Sequence, residues 1–200
     1  MERLKELKFL SVSQQVEQVE IFTRYETSNK YRVIDPTGKD IFWAQEIVSN
    51  FILMNFLRAR RPFVMELISV EDSSFFLKID RPFRFLFQDA TIYGPNGSIL
   101  GSLEGQVSLL ERRFHVLDSR KRKVYDIVGP MFRPWTFHIK SGNTNVGKIS
   151  KAWSGFAKET FTDADNFGIE FPPHATPELR AVLLGAIFLI DFAYFENSGK

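Results

Sequence analysis

The sequence predicts a mainly β domain in which antiparallel strands close into a barrel around one buried C-terminal helix. Three observations predict it. At least five hairpin signatures follow one another along the chain. The run Ala181–Ile190 near the end contains no polar side chain at all. The 200 residues are 44% hydrophobic and include 21 phenylalanines, enough to fill a thick interior of one domain over residues 1–200. A helix that is apolar on nearly every face must be enclosed by protein or by lipid. Its uncharged run of 10 residues is well short of the roughly 20 that a bilayer requires. Many antiparallel strands must also hide their edges by closing or by pairing into a sandwich. A sandwich has no place for such a helix, whereas a barrel threaded by it does.

Taken in order, residues 2–22 place Leu4, Leu7 and Leu10, then Val16, Val19 and Ile21, at helix-like intervals. This predicts a short helical lead-in over about residues 1–20 that runs into a strand. Five alternating segments then flank turn residues. Residues 31–34 and 41–43 flank Asp35-Pro-Thr-Gly38, and residues 64–68 and 75–79 flank Glu71-Asp-Ser-Ser74. Residues 90–93 and 99–103 flank Gly94-Pro-Asn-Gly97, and residues 114–117 and 124–128 flank Asp118-Ser-Arg-Lys121. Residues 135–139 and 146–149 flank Ser141-Gly-Asn-Thr-Asn145. Alternation, a Gly/Asn/Asp/Pro turn and renewed alternation is the hairpin pattern. Phe167–Phe171 predicts a further strand. The helix spans 178–196, with Pro177 as its start signal and Asn197 and Gly199 as stop signals. Asp191 is the one costly residue within it. It is read as lying near the barrel mouth, meeting solvent or an arginine; if buried, it must be hydrogen-bonded, paired or protonated.

Composition excludes several functions. There is no cysteine, so disulfides, thiolate catalysis, zinc–thiolate sites and S-palmitoylation are absent. The charged start Met1-Glu-Arg-Leu-Lys-Glu-Leu-Lys8 has no signal-peptide core, and Glu2 excludes N-myristoylation. The expectation is a cytoplasmic protein that reaches membranes from the cytosolic side. His115, His138 and His174 show no metal-ligand spacing. No phosphate loop, nucleophile elbow or catalytic acid pair is present, so no classical enzyme is expected. The net charge of +2 gives no reason to expect nucleic acid. One basic run, Arg120, Lys121, Arg122 and Lys123, sits at a hairpin turn. It reads either as a solvated turn or as a phosphate contact, to a phosphoinositide for example.

Three C-terminal stretches carry a resemblance: Val146-Gly-Lys-Ile-Ser-Lys-Ala-Trp-Ser-Gly155, Phe161-Thr-Asp-Ala-Asp-Asn-Phe-Gly-Ile-Glu-Phe-Pro172 and Ala181-Val-Leu-Leu-Gly-Ala-Ile-Phe-Leu-Ile-Asp-Phe192. Looser matches run upstream through Tyr25–Tyr31, Gly38, Ala44, Arg61-Pro-Phe63, Arg81-Pro82 and Ile127-Val-Gly-Pro130. Over about residues 10–198 the chain resembles the phospholipid scramblase family. The resemblance implies a Tubby-like fold, a 12-stranded antiparallel barrel around a central helix. It implies calcium-dependent, energy-independent movement of phospholipids between leaflets. The alternative is a peripheral phospholipid- or phosphoinositide-binding or protein-interaction module without that activity. Membrane phospholipids, possible protein partners and possible oligomers are the partners expected.

The chain departs from the family pattern in two ways. It begins almost directly at the domain, without the Pro-rich tail of animal members. Where those members carry palmitoylated cysteines, this chain has Phe51-Ile-Leu-Met-Asn-Phe-Leu57 and Phe83-Arg-Phe-Leu-Phe87. Such loops can partition into a lipid interface directly. A docking patch is therefore expected from Phe51, Ile52, Leu53, Phe56, Leu57, Phe83, Phe85 and Phe87, flanked by Arg58, Arg60, Arg61, Arg81 and Arg84. The competing reading is a helix over 47–57 packed on the barrel end and a strand over 83–87. The resemblance also places calcium at Asp163, Asp165, Asn166, Phe167 and Gly168. Asp at positions 1 and 3 with Gly at 6 echoes an EF-hand loop, but position 12 is His174 rather than an acid. A weak site is the most this set supports. The alternative is an Asx-turn between strands.

Overall fold

The computed structural model describes residues 1–15, 27–47, 62–83, 88–132, 135–151 and 166–195. A short helix α1 (Glu2–Lys5) leads into β1 (Phe9–Gln15). The remaining strands are β2 (Thr27–Ile34), β3 (Asp40–Ile47), β4 (Phe63–Ser69), β5 (Phe75–Arg81), β6 (Ala90–Tyr93), β7 (Ile99–Gln106), β8 (Glu111–Asp118), β9 (Lys123–Pro130), β10 (Thr136–Ser141), β11 (Thr144–Lys151) and β12 (Asn166–Glu170). The helix α2 (Pro177–Tyr194) ends the described chain. The 12 strands form one closed antiparallel barrel in sequence order, and β1 closes it by pairing with both β2 and β12. All five expected hairpins are present.

The lead-in differs from the expectation. Among the described residues of this segment, helix is confined to Glu2–Lys5, and residues 9–15 are a strand. Leu4, Leu7 and Leu10 suit a helix, but Leu10 and Val12 also alternate with Ser11 and Ser13. As a strand, this segment opposes Ile169 and Phe167 of β12 on one side and brings Val12 opposite Val33 of β2 on the other. The unpaired edges on both sides settle the conformation, as tertiary pairing commonly overrides local preference.

Alternation sets the interior. Phe63, Met65 and Leu67 of β4, Leu77 and Ile79 of β5, and Phe114 and Val116 of β8 are buried in one core with α2. The helix itself is buried from Leu179 to Phe192. Its N-cap is Thr176, whose hydroxyl accepts from Leu179 N at 3.3 Å. A close approach requires glycine at one place above all. A Cβ on Gly101 would lie 2.3 Å from Leu117 O and 2.7 Å from Val182 Cγ2, so only glycine lets β7 fit between β8 and the helix.

Because the strands alternate in direction, the barrel has two different ends. The tight turns after β2, β4, β6, β8 and β10 share one end with the start of α2. The β7–β8 and β9–β10 connections share the other with its final turn. The turn end is polar: Asp35 Oδ1 accepts from Thr37 N and Lys39 N, and Asp118 Oδ1 accepts from Arg120 N and Arg122 N. Gly38, Gly97 and Gly142 supply the positive φ such turns need.

Candidate lipid-facing end of the barrel

The helix is tied at both ends by polar side chains. At the turn end, buried Arg180 donates from Nε to Ala175 O at 3.0 Å and from Nη1 to Leu4 O at 3.2 Å and to Leu7 O. Burial pushes its pKa down, while Glu6 and Tyr125 act in the opposite direction. At the other end, the Tyr31 hydroxyl donates to Asp191 Oδ2 at 2.8 Å across 160 residues of sequence. Asp191 is 6% exposed, so the expectation of a solvent-facing carboxylate is corrected. Of the two conditions set for this residue, the buried and hydrogen-bonded one holds, because β2 presents Tyr31 to this turn of the helix.

Around that last turn the inner wall changes character. Gln14 Nε2 donates to Asn29 Oδ1 at 3.0 Å, and Asn29 Nδ2 donates to Glu46 Oε2 at 2.8 Å. Buried Arg81 reaches Gln88. Arg112 lies 4.0 Å over the ring of Tyr194, and Lys151 lies 4.3 Å over that of Phe195. Burial raises the pKa of the Tyr194 hydroxyl, against the opposing charges of Arg112 and Arg81. The helix carries no basic residue in its own last turn. Wall cations therefore face the negative end of its dipole. Arg112 Nε and Nη1 are buried and find no acceptor among the described residues. Outside this collar, Val107, Leu109, Leu110, Phe132 and Trp135 are exposed. Their two loops are joined by Met131 N donating to Leu110 O at 3.4 Å.

The predicted site residues are placed unequally. Of the docking patch, Phe83 is exposed beyond the end of β5 and Arg81 lies inward, over the Phe63 ring at 5.7 Å. Phe51, Ile52, Leu53, Phe56, Leu57, Arg58, Arg60, Arg61, Arg84, Phe85 and Phe87 lie outside the described residues, as do Asp163 and Asp165. Asn166, Phe167 and Gly168 open β12. Phe167 and Gly168 pair with β1 on one side and β11 on the other. Gly168 has no positive φ, so the sharp turn of an EF-hand loop is not formed there. Asn166 Oδ1 is buried with no donor. No group of three or more His, Cys, Asp or Glu able to hold a metal occurs among the described residues.

The basic run lies at the opposite, turn end. Three of its four side chains face acids: Lys121 Nζ is 3.8 Å from Glu104, Arg122 Nη2 is 2.6 Å from Asp118, and Lys123 Nζ is 3.1 Å from Asp126. The sequence missed the polar collar and the exposed loops. Val107, Leu109 and Leu110 form an apolar group between two strands, and that signal was there to find.

A sequence model of the scramblase family matches residues 1–197. The chain belongs to the scramblase family. It is 35% identical to mouse phospholipid scramblase 1 over 214 residues, covering all of this chain and 65% of that protein. It is 32% identical to human phospholipid scramblase 2, covering 99% of this chain and 71% of that one. Against human phospholipid scramblase family member 5 it is 32% identical, covering 78% of that protein. This scramblase-family chain spans just under two thirds of the mouse and rat phospholipid scramblase 1 proteins. No solved structure matches it.

Proposed function

We propose that this scramblase-family chain works on phospholipid bilayers as a peripheral protein, with α2 kept inside the barrel, and promotes movement of phospholipid between leaflets. The observation that carries the reading is the enclosure of α2. Nine large aliphatic and phenyl side chains of the helix are buried against the wall. At about 1.5–3 kcal/mol each, stripping them from their partners costs roughly 14–27 kcal/mol. That matches or exceeds the whole stability of a typical domain, about 5–15 kcal/mol. A bilayer receiving the helix would relieve the helix's share but leave a like area of inner wall uncovered. No described helix is long and apolar enough to cross a membrane. The work on lipid therefore belongs to the surface that meets the bilayer.

Calcium enters as a regulator of this activity. The orphaned Asn166 Oδ1 supports it, since a buried oxygen without a donor suits a hard cation, and Asp163 and Asp165 precede it in sequence. These three oxygen-bearing side chains would hold the ion. No position in β12 beyond Asn166 is needed.

The test adds the purified chain to vesicles containing a fluorescent phospholipid, with and without calcium. Flotation reports binding, and the fraction of label open to an external quencher reports leaflet exchange. Binding with faster exchange is expected. Binding without exchange leaves a lipid-binding module as the function. Absence of binding to any vesicle overturns the proposal.

A further inference from the structure

We propose that the β7–β8 and β9–β10 loops form the bilayer-docking face, inserting apolar side chains at the headgroup boundary of an anionic phospholipid membrane. This rests on the reading of the chain as a peripheral membrane protein and names the part that makes contact. Val107 is 72% exposed, Leu109 90%, Leu110 82%, Phe132 90% and Trp135 55%. Isolated exposed apolar residues are ordinary, but a contiguous cluster marks an interaction site. These five occupy two loops joined by a backbone hydrogen bond and project past the end of the closed sheet.

Two features commit the surface to a lipid bilayer. The first is the axial asymmetry of the barrel. Its turn end carries Asp35, Asp72, Asn96 and Asp118, each holding its own turn by side-chain hydrogen bonds. Its loop end carries the most exposed apolar residues of the described chain. Val70, Phe75 and Ile99 near the turn end are 36–46% exposed against 55–90% for the five loop-end residues, so the loop end is the one suited to a planar water–lipid boundary. The second is charge. Directly inside the cluster stand the half-buried cations Arg112 and Lys151, over the rings of Tyr194 and Phe195, while Arg113 next to them is paired with Glu111. Positive charge this close to the loops draws the face toward anionic headgroups. Trp135, packed 6.0 Å from Phe195, sits where an interfacial tryptophan belongs, at the junction of apolar cluster and polar collar.

The experiment uses the full chain and mixed phosphatidylcholine–phosphatidylserine vesicles. Leu109→Glu with Phe132→Glu is compared with the unaltered chain and with Ile99→Glu at the turn end. All three positions are exposed, so thermal melts are expected to coincide. Removing two inserted side chains and adding two charges is expected to weaken partitioning by about tenfold or more, while Ile99→Glu leaves it unchanged. Brominated lipids are expected to quench tryptophan emission, and less so in Trp135→Phe. If the unaltered chain binds and the double variant binds equally, this docking face is overturned and the membrane reading stands. If the unaltered chain binds no vesicle, both fall. If sedimentation shows a dimer that the double variant dissolves without loss of vesicle binding, the face belongs to a second copy of this chain and the lipid assignment is overturned.

Discussion

Locking α2 to the barrel wall separates a sealed core from a helix that leaves it. The chain has no cysteine, so Ile92→Cys with Gly185→Cys introduces a single possible disulfide. A Cβ at Gly185 lies 3.0 Å from Ile92 Cγ1. That is about the separation of Cβ from the far sulfur across a disulfide bond, and the cysteine sulfur at 92 takes the place of Cγ1. The crosslink closes a loop of about 90 residues, so loop-closure entropy predicts stabilisation of up to about 4.5 kcal/mol. For a chain of this size that raises the midpoint of thermal unfolding by up to about 9–18 °C. Comparing oxidised with reduced protein of the same variant cancels the loss of the isoleucine methyls. Vesicle binding and leaflet exchange are then measured in both states. With α2 staying inside, both activities are equal in the two states despite the gain in stability. If oxidation abolishes either activity and a reductant restores it, the helix must leave the barrel and the enclosure argument fails.

Two further outcomes follow from buried polar contacts. Tyr31→Phe keeps the ring and its edge contact with Phe188, whose centroid is 5.2 Å away, but removes the hydroxyl that donates to the buried Asp191 carboxyl. Urea unfolding should show a loss of about 1.5–3 kcal/mol, the worth of a hydrogen bond to an ionisable group; a loss under about 0.5 kcal/mol would mean that Tyr31 does not hold the carboxyl. Asp126 accepts from Lys123 Nζ at 3.1 Å and lies 2.7 Å from His115 Nδ1. Burial pushes its pKa up, but these hydrogen bonds and charges outweigh burial and hold it below the ordinary value of 3.8. The unfolded chain therefore takes up this proton first as pH falls. Its contribution is full above the unfolded pKa and is lost as pH drops below about 4 through the folded value. The stability gap between the natural chain and Asp126→Asn should narrow as pH falls below about 5; parallel curves from about pH 5 down to pH 3 would refute the assignment.

The hairpins were legible because each is a local event. Asp35-Pro-Thr-Gly38 makes its turn with its own side chain and a glycine at φ +88°, whatever lies beyond. The buried helix was legible from composition, and closure followed once such a helix had to be covered. Residues 9–15 were misread as helix because β1 exists only between two partners far away in sequence. The basic run gave its charges but not the acids that face them, since Glu104 reaches Lys121 from another strand.

The sequence by itself determined that many strands would surround one apolar helix, because alternation, turn chemistry and an unbroken apolar run are properties of neighbouring residues. Only the tertiary structure decided that Asp191 would be buried under Tyr31, that wall cations would gather at the last turn of the helix, and that two short loops would carry the exposed apolar cluster. Those outcomes depend on which residues the closed barrel brings to the same end, and strand direction and register set that over separations as long as 160 residues.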